Sequence, residues 1–389
     1  MTSQKPPLMS RGLISVLVAQ TCFGYAFSSF LLFPKFLATE LGANAAQIGQ
    51  VATVNRMATM VGLLLSGVAV DRMGRRPFLA AGALLMGVAS LCFFWVHELG
   101  PLVFFLRGLQ GVAFGMAFAA GSALVVDLSP PERLAQAIGY FGLTMLSTNA
   151  LAPLAVEALA EIGGWRLAFM IAALGGLACL FASFFIREPD RDSPGDAPAK
   201  SLLAVALAPK QLRCAGVICV VGAAFTVLFV LHQPFAISLG MERLSVFFIG
   251  YTGAAVLVRL GAGPFVDRIG RSRVALGSLL VYAAGVGLAV NLAAVGLAAL
   301  GATLGLAHGF FYPAFNALAV EGTGPQERGK VMALFQGWFT LGGALGTLVL
   351  GALAHSRGYP LVFSLLALTT LGALVVLALS PEGRPAFRR

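Results

Sequence analysis

Apolar runs of membrane-spanning length dominate this sequence. A helix needs about 20 mostly apolar residues to cross the hydrocarbon core of a bilayer. Among the 389 residues 58% are hydrophobic and only 11% are charged, whereas soluble domains carry about 25% charged residues. The sequence therefore predicts an all-α membrane protein with twelve transmembrane helices. We predict these helices at residues 12–36, 46–70, 77–96, 101–126, 134–159, 165–186, 211–237, 244–266, 273–291, 294–319, 329–353 and 359–379.

Lysine and arginine are concentrated on one side of the predicted membrane. The net charge is +10, and most of the 26 Lys and Arg residues lie in the two tails and the even-numbered loops. Because they do not form one amphipathic face, we expect no nucleic-acid partner. The positive-inside rule predicts a multi-pass protein of the inner (cytoplasmic) membrane, with both termini in the cytoplasm.

A polar segment divides the chain in the middle. Residues 188–209 start with a polar stretch that contains Pro, Gly and Asp, and they continue into a short amphipathic stretch. Such a composition predicts a cytoplasmic linker with a stretch that lies on the membrane surface. The chain is therefore expected to consist of an N-terminal six-helix bundle at 1–187 and a C-terminal six-helix bundle at 210–389.

Three segments occur twice in the same order. Gly-x-x-x-Asp-Arg-x-Gly-Arg stands at 67–75 and again at 263–271. Pro-Glu-Arg at 131–133 matches Gln-Glu-Arg at 326–328, and Gly-Trp-Arg-Leu-Ala-Phe at 164–169 matches Gly-Tyr-Pro-Leu-Val-Phe at 358–363. Each second copy follows about 195 residues after the first. Parallel repeats of this kind predict two pseudo-symmetric bundles with a substrate site between them near the membrane midplane.

The doubled loop resembles the signature of the major facilitator superfamily, which lies between helices two and three and again between helices eight and nine. The resemblance covers the whole chain, including its length, helix count, central linker and both loops. It implies a secondary transporter that works by alternating access. It also implies that Asp127, at the cytoplasmic end of helix four, joins the network of the first loop; Glu321 is the counterpart of Asp127 after helix ten.

The two loops are candidates for a cytoplasmic gate. A carboxylate at a helix end can pair with a cation or cap a helix N-terminus, so the charges can close a gate; alternatively, they only set topology. We expect the first copy to be stronger, because Ser272 stands where the first copy has Arg76. The gate candidates are Gly67, Asp71, Arg72, Gly74, Arg75, Arg76, Asp127, Gly263, Asp267, Arg268, Gly270, Arg271 and Glu321.

Ionisable residues inside predicted spans are costly and are therefore candidates for a functional site. Arg107 begins Arg-Gly-Leu-Gln-Gly, which resembles the R-x-x-Q-G motif in helix four of many proton-driven antiporters of the superfamily. A cation there can attract an anionic substrate or lower the pKa of a nearby carboxylate; alternatively, it bonds backbone carbonyls. Glu157 and Glu161 are expected in the membrane interface, so the sequence offers no embedded carboxylate.

His308 is then the best candidate for a proton carrier, because imidazole titrates near neutral pH; the alternative is a hydrogen-bonded packing residue. The candidates for the substrate and proton cavity are Arg107, Gln110, Arg56, Asn55, Gln20, Tyr25, Asn149, Arg259 and His308.

These features predict a proton-coupled transporter that exports a small organic solute. The alternative is uptake or exchange of a small organic anion, because embedded arginines outnumber embedded acids; a remote alternative is a membrane sensor that does not transport. We expect a monomer without cofactor or metal. The sequence contains no nucleotide-binding loop of the G-x-x-x-x-G-K-[ST] type, no nucleophile elbow and no zinc spacing, so it does not predict an enzyme.

Overall fold

The computed structural model describes residues 9–188, 201–261, 268–324 and 327–383, without the side chains at positions 67–69, 71, 72, 131 and 135. Every regular element in these ranges is a helix, which confirms the predicted all-α class. Two predicted gate residues, Gly263 and Asp267, lie outside the described residues, as do the side chains of Asp71 and Arg72.

The first half of the chain folds into long helices that are broken at two places. α1 and α2 are joined by a 3-10 turn and together form one span from Arg11 to Thr39. α6 contains two spans, because the backbone of Gly164 (φ 72°, ψ 175°) leaves the helical region. The helices are α1 (Arg11–Ser28), α2 (Phe33–Thr39), α3 (Ala45–Met73), α4 (Arg75–Cys92), α5 (Pro101–Asp127) and α6 (Leu134–Ser183).

The second half begins with a short helix, α7, in the segment predicted as a linker, and continues with further long helices. The predicted boundary between spans nine and ten lies near Asn291, whose backbone (φ −115°, ψ 51°) leaves helical geometry. One more helical turn runs to Val295, and the long helix of the next span begins after Gly296, whose φ is 77°. The helices are α7 (Leu202–Ala206), α8 (Pro209–Ser238), α9 (Ser245–Gly261), α10 (Arg271–Leu288), α11 (Leu292–Val295), α12 (Leu297–Val320), α13 (Arg328–Arg357) and α14 (Tyr359–Leu379).

Ten helices in the described ranges are long and apolar enough to cross a membrane. This number counts α6 once, although α6 contains two spans. α9 is an apolar helix of 17 residues, and the described chain stops at its end. The structure is therefore consistent with the predicted twelve spans.

The sequence repeat reappears in the backbone. Gly74 and Gly270 have φ values of 106° and 94° and stand at the N-caps of α4 and α10. Gly164 and Gly358 have φ values of 72° and 87° and precede the last span of each half. Only glycine adopts such values without strain, so the same residue type makes the same turn in both halves.

One close helix crossing is also repeated. A Cβ on Gly111 of α5 would collide with the carbonyl oxygen of Asn55 in α3, and a Cβ on Gly305 of α12 would collide with that of Tyr251 in α9. The repeat relates these two pairs to each other. Small residues let helix backbones approach closely in a membrane, and both halves use glycine at this crossing.

The chain packs into two compact units. One comprises Met1–Leu41 and Val54–Ser193, and the other comprises Gly42–Thr53 and Pro194–Arg389. The start of α3 belongs to the second unit, where Thr53 Oγ1 donates a hydrogen bond to Ala344 O of α13 at 2.9 Å. The bundles predicted at 1–187 and 210–389 stay a prediction.

Candidate functional site

A buried arginine lies in α5 of the first unit. Arg107 is only 8% exposed, and its Nη1 donates a hydrogen bond to Gln110 Oε1 at 2.6 Å. The three-residue spacing puts both side chains on one helix face. Gln110 Nε2 donates to Ser90 Oγ of α4 at 3.2 Å, and Asn55 Nδ2 of α3 donates to Arg107 O at 2.9 Å. Three predicted residues are thus joined in one hydrogen-bonded group with Ser90.

Two phenylalanines cover the guanidinium of Arg107. Its Cζ lies 4.9 Å from the ring centre of Phe33 and 5.5 Å from that of Phe30. A desolvated cation over an aromatic face gains about 2 kcal/mol. These phenylalanines, at the junction of α1 and α2, were not predicted, since they are distant from Arg107 in sequence and follow no motif.

Arg107 has no carboxylate partner in the described part of the chain. Arg56 of α3 is instead close enough to repel its charge. Arg107 Nε lies buried without an acceptor among the described residues. A buried donor of this kind favours an added acceptor, and most strongly an anionic one. The group can therefore bind a carbonyl, carboxylate or phosphate on a ligand.

Three other predicted cavity residues lie where α1 packs on α6. Gln20 is fully buried, and its Nε2 contacts Met145 Sδ at 3.2 Å. Asn149 Oδ1 accepts a hydrogen bond from Ser28 Oγ at 2.8 Å, and Tyr25 is half-buried. In the described chain none of the three is hydrogen-bonded to the Arg107 group, so the structure places them beside a different helix pair.

The first unit also contains a buried ion pair that the sequence did not predict. Lys35 Nζ lies 2.7 Å from Glu157 Oε1, and the side chains are 20% and 7% exposed. Glu161 is exposed. Glu157 lies about 10 Å before the break at Gly164, where α2 brings Lys35 against it. The interfacial position expected for Glu157 and Glu161 stays a prediction.

The first loop forms an ion pair between two helix ends. Arg75 Nη1 at the start of α4 lies 2.5 Å from Asp127 Oδ2 at the end of α5, with both side chains about one-fifth exposed. The backbone N–H of Arg76 donates to the Glu188 carboxylate, and the Arg76 guanidinium lies 5.6 Å from the ring centre of Phe184. Three gate candidates are therefore brought together, with Glu188 as an unpredicted partner.

The second loop makes different contacts. Arg268 and Arg271 are exposed, and neither forms an ion pair with a described residue. Glu321 does not reach them; its backbone oxygen accepts a hydrogen bond from Lys210 Nζ at 2.5 Å. The expected pairing of Glu321 with this loop is thus not seen among the described residues.

Glu382, an acidic residue that follows α14, contacts the second loop instead. Ser272 Oγ donates to Glu382 O at 2.7 Å. The Glu382 carboxylate accepts two hydrogen bonds from Arg213 of α8, at 3.0 and 2.5 Å. These hydrogen bonds lower the pKa of the Glu382 carboxyl below its ordinary value. Glu382 is the repeat mate of Glu188, so both loops contact the acid that follows the last span of their own half.

His308 is the centre of an aromatic cluster in the second unit. Its Nδ1 lies 2.6 Å from Tyr282 Oη, and its ring centre lies 4.6 Å from Phe225 and 5.3 Å from Tyr312. Arg259 is close enough to act on His308 electrostatically and is itself exposed. The structure therefore surrounds the histidine mainly with aromatic rings.

The polar groups around Arg107 and His308 are not copies of one another. The repeat places Gly301 at the position of Arg107, and it places His308 at the position of Phe114.

Among the described residues, no three His, Cys, Asp or Glu side chains are close enough together to hold a metal ion.

The chain is similar to bacterial resistance proteins. It is 26% identical to the tetracenomycin C resistance and export protein of Streptomyces glaucescens over 84% of this chain and 56% of that protein. It is 27% identical to the multidrug resistance protein MdtL of Shigella dysenteriae, and 28% identical to that of Escherichia coli, over 50% of this chain. The matches cover 49% and 48% of the MdtL proteins. The chain thus spans about half the length of the curated relatives it matches.

The fold is similar to a solved membrane protein. A crystal structure of the nucleoside transporter NupG superposes with a TM-score of 0.77 over 94% of this chain and 98% of that one, at 14% identity. At this identity the likeness concerns the fold alone.

The family assignment follows from a match over nearly the whole chain. The sequence model of the Major Facilitator Superfamily matches residues 14–261 and 242–388. This family consists of multi-pass membrane transporters and not of enzymes, in agreement with the class predicted from the sequence. The chain belongs to the Major Facilitator Superfamily.

Proposed function

We propose that this chain is a secondary transporter that exports a small organic solute across a bacterial inner membrane by alternating access, coupled to protons. The observation that carries the proposal is the buried group around Arg107. An arginine at the centre of a membrane helix costs about 2.5–3.5 kcal/mol on insertion scales. Arg107 offsets this cost with a hydrogen bond and two aromatic faces, but its buried Nε has no acceptor among the described residues, as expected for a site that receives a ligand.

The direction of transport is inferred from the relatives. The names of two of them state resistance to drugs or export of tetracenomycin C. Export of an amphipathic compound is consistent with a site in which aromatic faces, from Phe30 and Phe33, lie beside a cation.

Proton coupling requires a group that changes its protonation during transport. The ion pair of Lys35 and Glu157 is a candidate, because separating the two side chains would leave a carboxylate in an apolar environment, where the protonated form is favoured. His308, held by Tyr282, is the second candidate. The Lys35–Glu157 pair is preferred, since it lies in the same unit as Arg107.

A second candidate function is uptake or exchange of a small organic anion. It is favoured by Arg56 and Arg107, two neighbouring cations without a carboxylate partner among the described residues. An anion would satisfy the free Nε–H of Arg107 with a charge-assisted hydrogen bond.

Flux measurements in proteoliposomes with an imposed pH gradient separate these functions. We expect an amphipathic aromatic drug to move against its gradient when protons flow the other way, with flux lost in Arg107→Gln. Arg166→Gln is the matched control, since Arg166 is an exposed cation over an aromatic ring, Phe94. Movement of organic anions alone would favour the second function. No flux of either class, or full flux in Arg107→Gln, would contradict the role proposed for this site.

The remaining parts of the proposal concern orientation and gating. We infer that both termini lie in the cytoplasm, that the first loop with Arg75 and Asp127 is an inner gate, and that the protein acts as a monomer. A reporter enzyme that is active only in the periplasm, fused after the last residue, is expected to stay inactive. An active fusion would show that the C-terminus lies in the periplasm and would contradict the inferred orientation.

A further inference from the structure

The cations of the second loop differ from those of the first in their ion pairing. Arg75 is paired with Asp127, whereas Arg268, Arg271 and Arg273 are exposed and form no ion pair with a described residue. The segment 267–273 carries three arginines against a single aspartate. The start of α10 therefore presents positive charge at one face of the membrane that the described part of the chain does not neutralise.

An apolar groove begins at this charge. It has a volume of about 380 Å³ and runs between α10 and α12. Among the described residues that line it, Arg273 is the only charged one. The hydroxyl of Ser278, which also lines the groove, is satisfied by Val274 O at 2.6 Å. The other lining residues used in this argument are Gly277, Val281, Leu306, Ala307 and Phe310.

The groove is open to the outside of the molecule along its length. Gly277 is exposed, and no described atom lies within 4 Å of where its Cβ would be. Leu306 is 43% exposed and Val281 37% exposed. From Arg273 to Val281 the groove follows α10 for about 12 Å, the length of a segment of an acyl chain.

We propose that the groove between α10 and α12 binds one anionic phospholipid, with an acyl chain against Gly277 and Leu306 and the phosphodiester headgroup on Arg273, Arg268 and Arg271. Basic pockets between membrane helices bind anionic headgroups, because cations near the membrane surface are attracted to anionic lipid. A zwitterionic lipid fits less well, because its own ammonium group would face the arginines. The lipid neutralises positive charge in the second loop, as Asp127 neutralises Arg75 in the first loop.

Lipid binding to the purified full chain tests the proposal. Thermal stability in neutral detergent is measured against added phosphatidylglycerol, phosphatidylcholine or inorganic phosphate. We expect phosphatidylglycerol to raise the Tm at concentrations at least tenfold below those needed for phosphatidylcholine, and phosphate alone to have no effect. Equal effects of the two lipids, or an equal effect of free phosphate, would overturn the proposal.

Two variants address the two ends of the lipid separately. Arg273→Gln removes the headgroup contact and is expected to weaken the phosphatidylglycerol effect about tenfold. Gly277→Leu fills the groove and is expected to abolish it. The matched controls are Arg357→Gln, which removes an exposed cation at the end of α13, and Gly372→Leu, which adds the same side chain at an exposed open position of α14. If phosphatidylglycerol stabilises both test variants as strongly as it stabilises the wild-type protein, the proposal is overturned.

A photoactivatable phosphatidylglycerol crosslinked to the wild-type protein keeps the test independent of how the variants fold. We expect crosslinks on α10 near Gly277 and Val281, and on α12 near Leu306 and Phe310. Labelling confined to other helices would overturn the proposal. None of these readouts depends on transport, so the proposed function can fail without affecting this result.

Discussion

At the scale of single residues, Arg107 shows how a charge is held inside a membrane helix without a countercharge among the described side chains. Its guanidinium is planar, so it can stack on Phe30 and Phe33 while Nη1 donates to Gln110. Lysine offers neither the flat surface nor the fixed directions of these donors. We therefore expect transport to depend on the planar guanidinium of Arg107 and not only on its positive charge.

Arg107→Lys is expected to lower the transport rate at least tenfold despite retaining the charge, because stacking and the bond to Gln110 are both impaired. Gln110→Ala removes a hydrogen bond to a charged group, which is worth about 1.5–3 kcal/mol. We therefore expect this variant to lower the transport rate about tenfold or more as well. Initial rates in proteoliposomes measure both variants, with Arg166→Lys as the control. A fully active Arg107→Lys variant would show that only the charge is needed.

Glu157→Gln is expected to reduce stability and uncouple transport from protons. It leaves Lys35 buried without its carboxylate, and breaking a buried pair in this way costs about 3–5 kcal/mol. Replacing both residues, Lys35→Met with Glu157→Leu, should restore the Tm, since a well-packed apolar pair is often neutral or stabilising. Proton flux should stay absent in the double variant. Normal proton-driven transport in that variant would remove this pair from the mechanism.

At the scale of helices, glycine positions decide how closely the elements pack. α8 and α13 approach each other at Gly342, where a Cβ would collide with the carbonyl oxygen of Cys219. Gly337, one and a half turns earlier in α13, has no described atom within 4 Å of where its Cβ would be. The two glycines are thus in the same helix but in opposite environments.

Gly342→Ala is expected to lower stability by about 1–3 kcal/mol, the usual cost of overpacking, and to reduce the amount of folded protein. Gly337→Ala is the matched control; it should be neutral or stabilising by about 0.5–1 kcal/mol, because alanine favours the helix. Thermal unfolding in detergent measures both. Equal losses for the two variants would mean that the crossing of α8 and α13 is not close-packed.

The segment after α14 is tied to α8 by the ion pair of Glu382 and Arg213. The pKa of Glu382 is lowered by hydrogen bonds from Arg213. A lowered folded-state pKa contributes stability that is complete above the unfolded value and is lost as the pH falls through the folded value. We expect Glu382→Gln to be slightly less stable than wild type at pH 7, and the difference to shrink as the pH falls below the ordinary carboxyl pKa of about 4.3. A stability difference that stays the same at pH 7 and at low pH would contradict this assignment.

At the scale of the whole molecule, the repeat preserves backbone geometry while the chemistry diverges. Gly111 and Gly305 make the same crossing in both units, but Arg107 has Gly301 at the equivalent position. The loops diverge as well, since Arg75 is paired with Asp127 whereas Glu321 is bonded through its backbone to Lys210.

This asymmetry predicts unequal effects of matched substitutions. Asp127→Asn removes the ion pair with Arg75 and should reduce transport several-fold. Glu321→Gln leaves the hydrogen bond to its backbone oxygen in place and should have little effect. Transport rates, normalised to the amount of folded protein, measure both. Equal losses would show that the two loops act alike.

The sequence by itself determined the class of fold, because bilayer thickness fixes the length of a spanning helix and the spans appear as apolar runs. It also determined the repeat and the grouping of Arg107 with Gln110, since residues three apart share a helix face. These relations are local in the chain or repeated along it, so they can be predicted without knowing how the helices pack.

Only the tertiary structure decided which distant residues meet. It placed Phe33 over Arg107, Lys35 against Glu157, and Glu382 against Arg213. Apolar periodicity is weak when a helix faces lipid on one side and protein on the other, so it does not specify which faces are in contact. The packing of helices between distant parts of the chain therefore determines whether a charge in a span is paired, stacked or left open to a ligand.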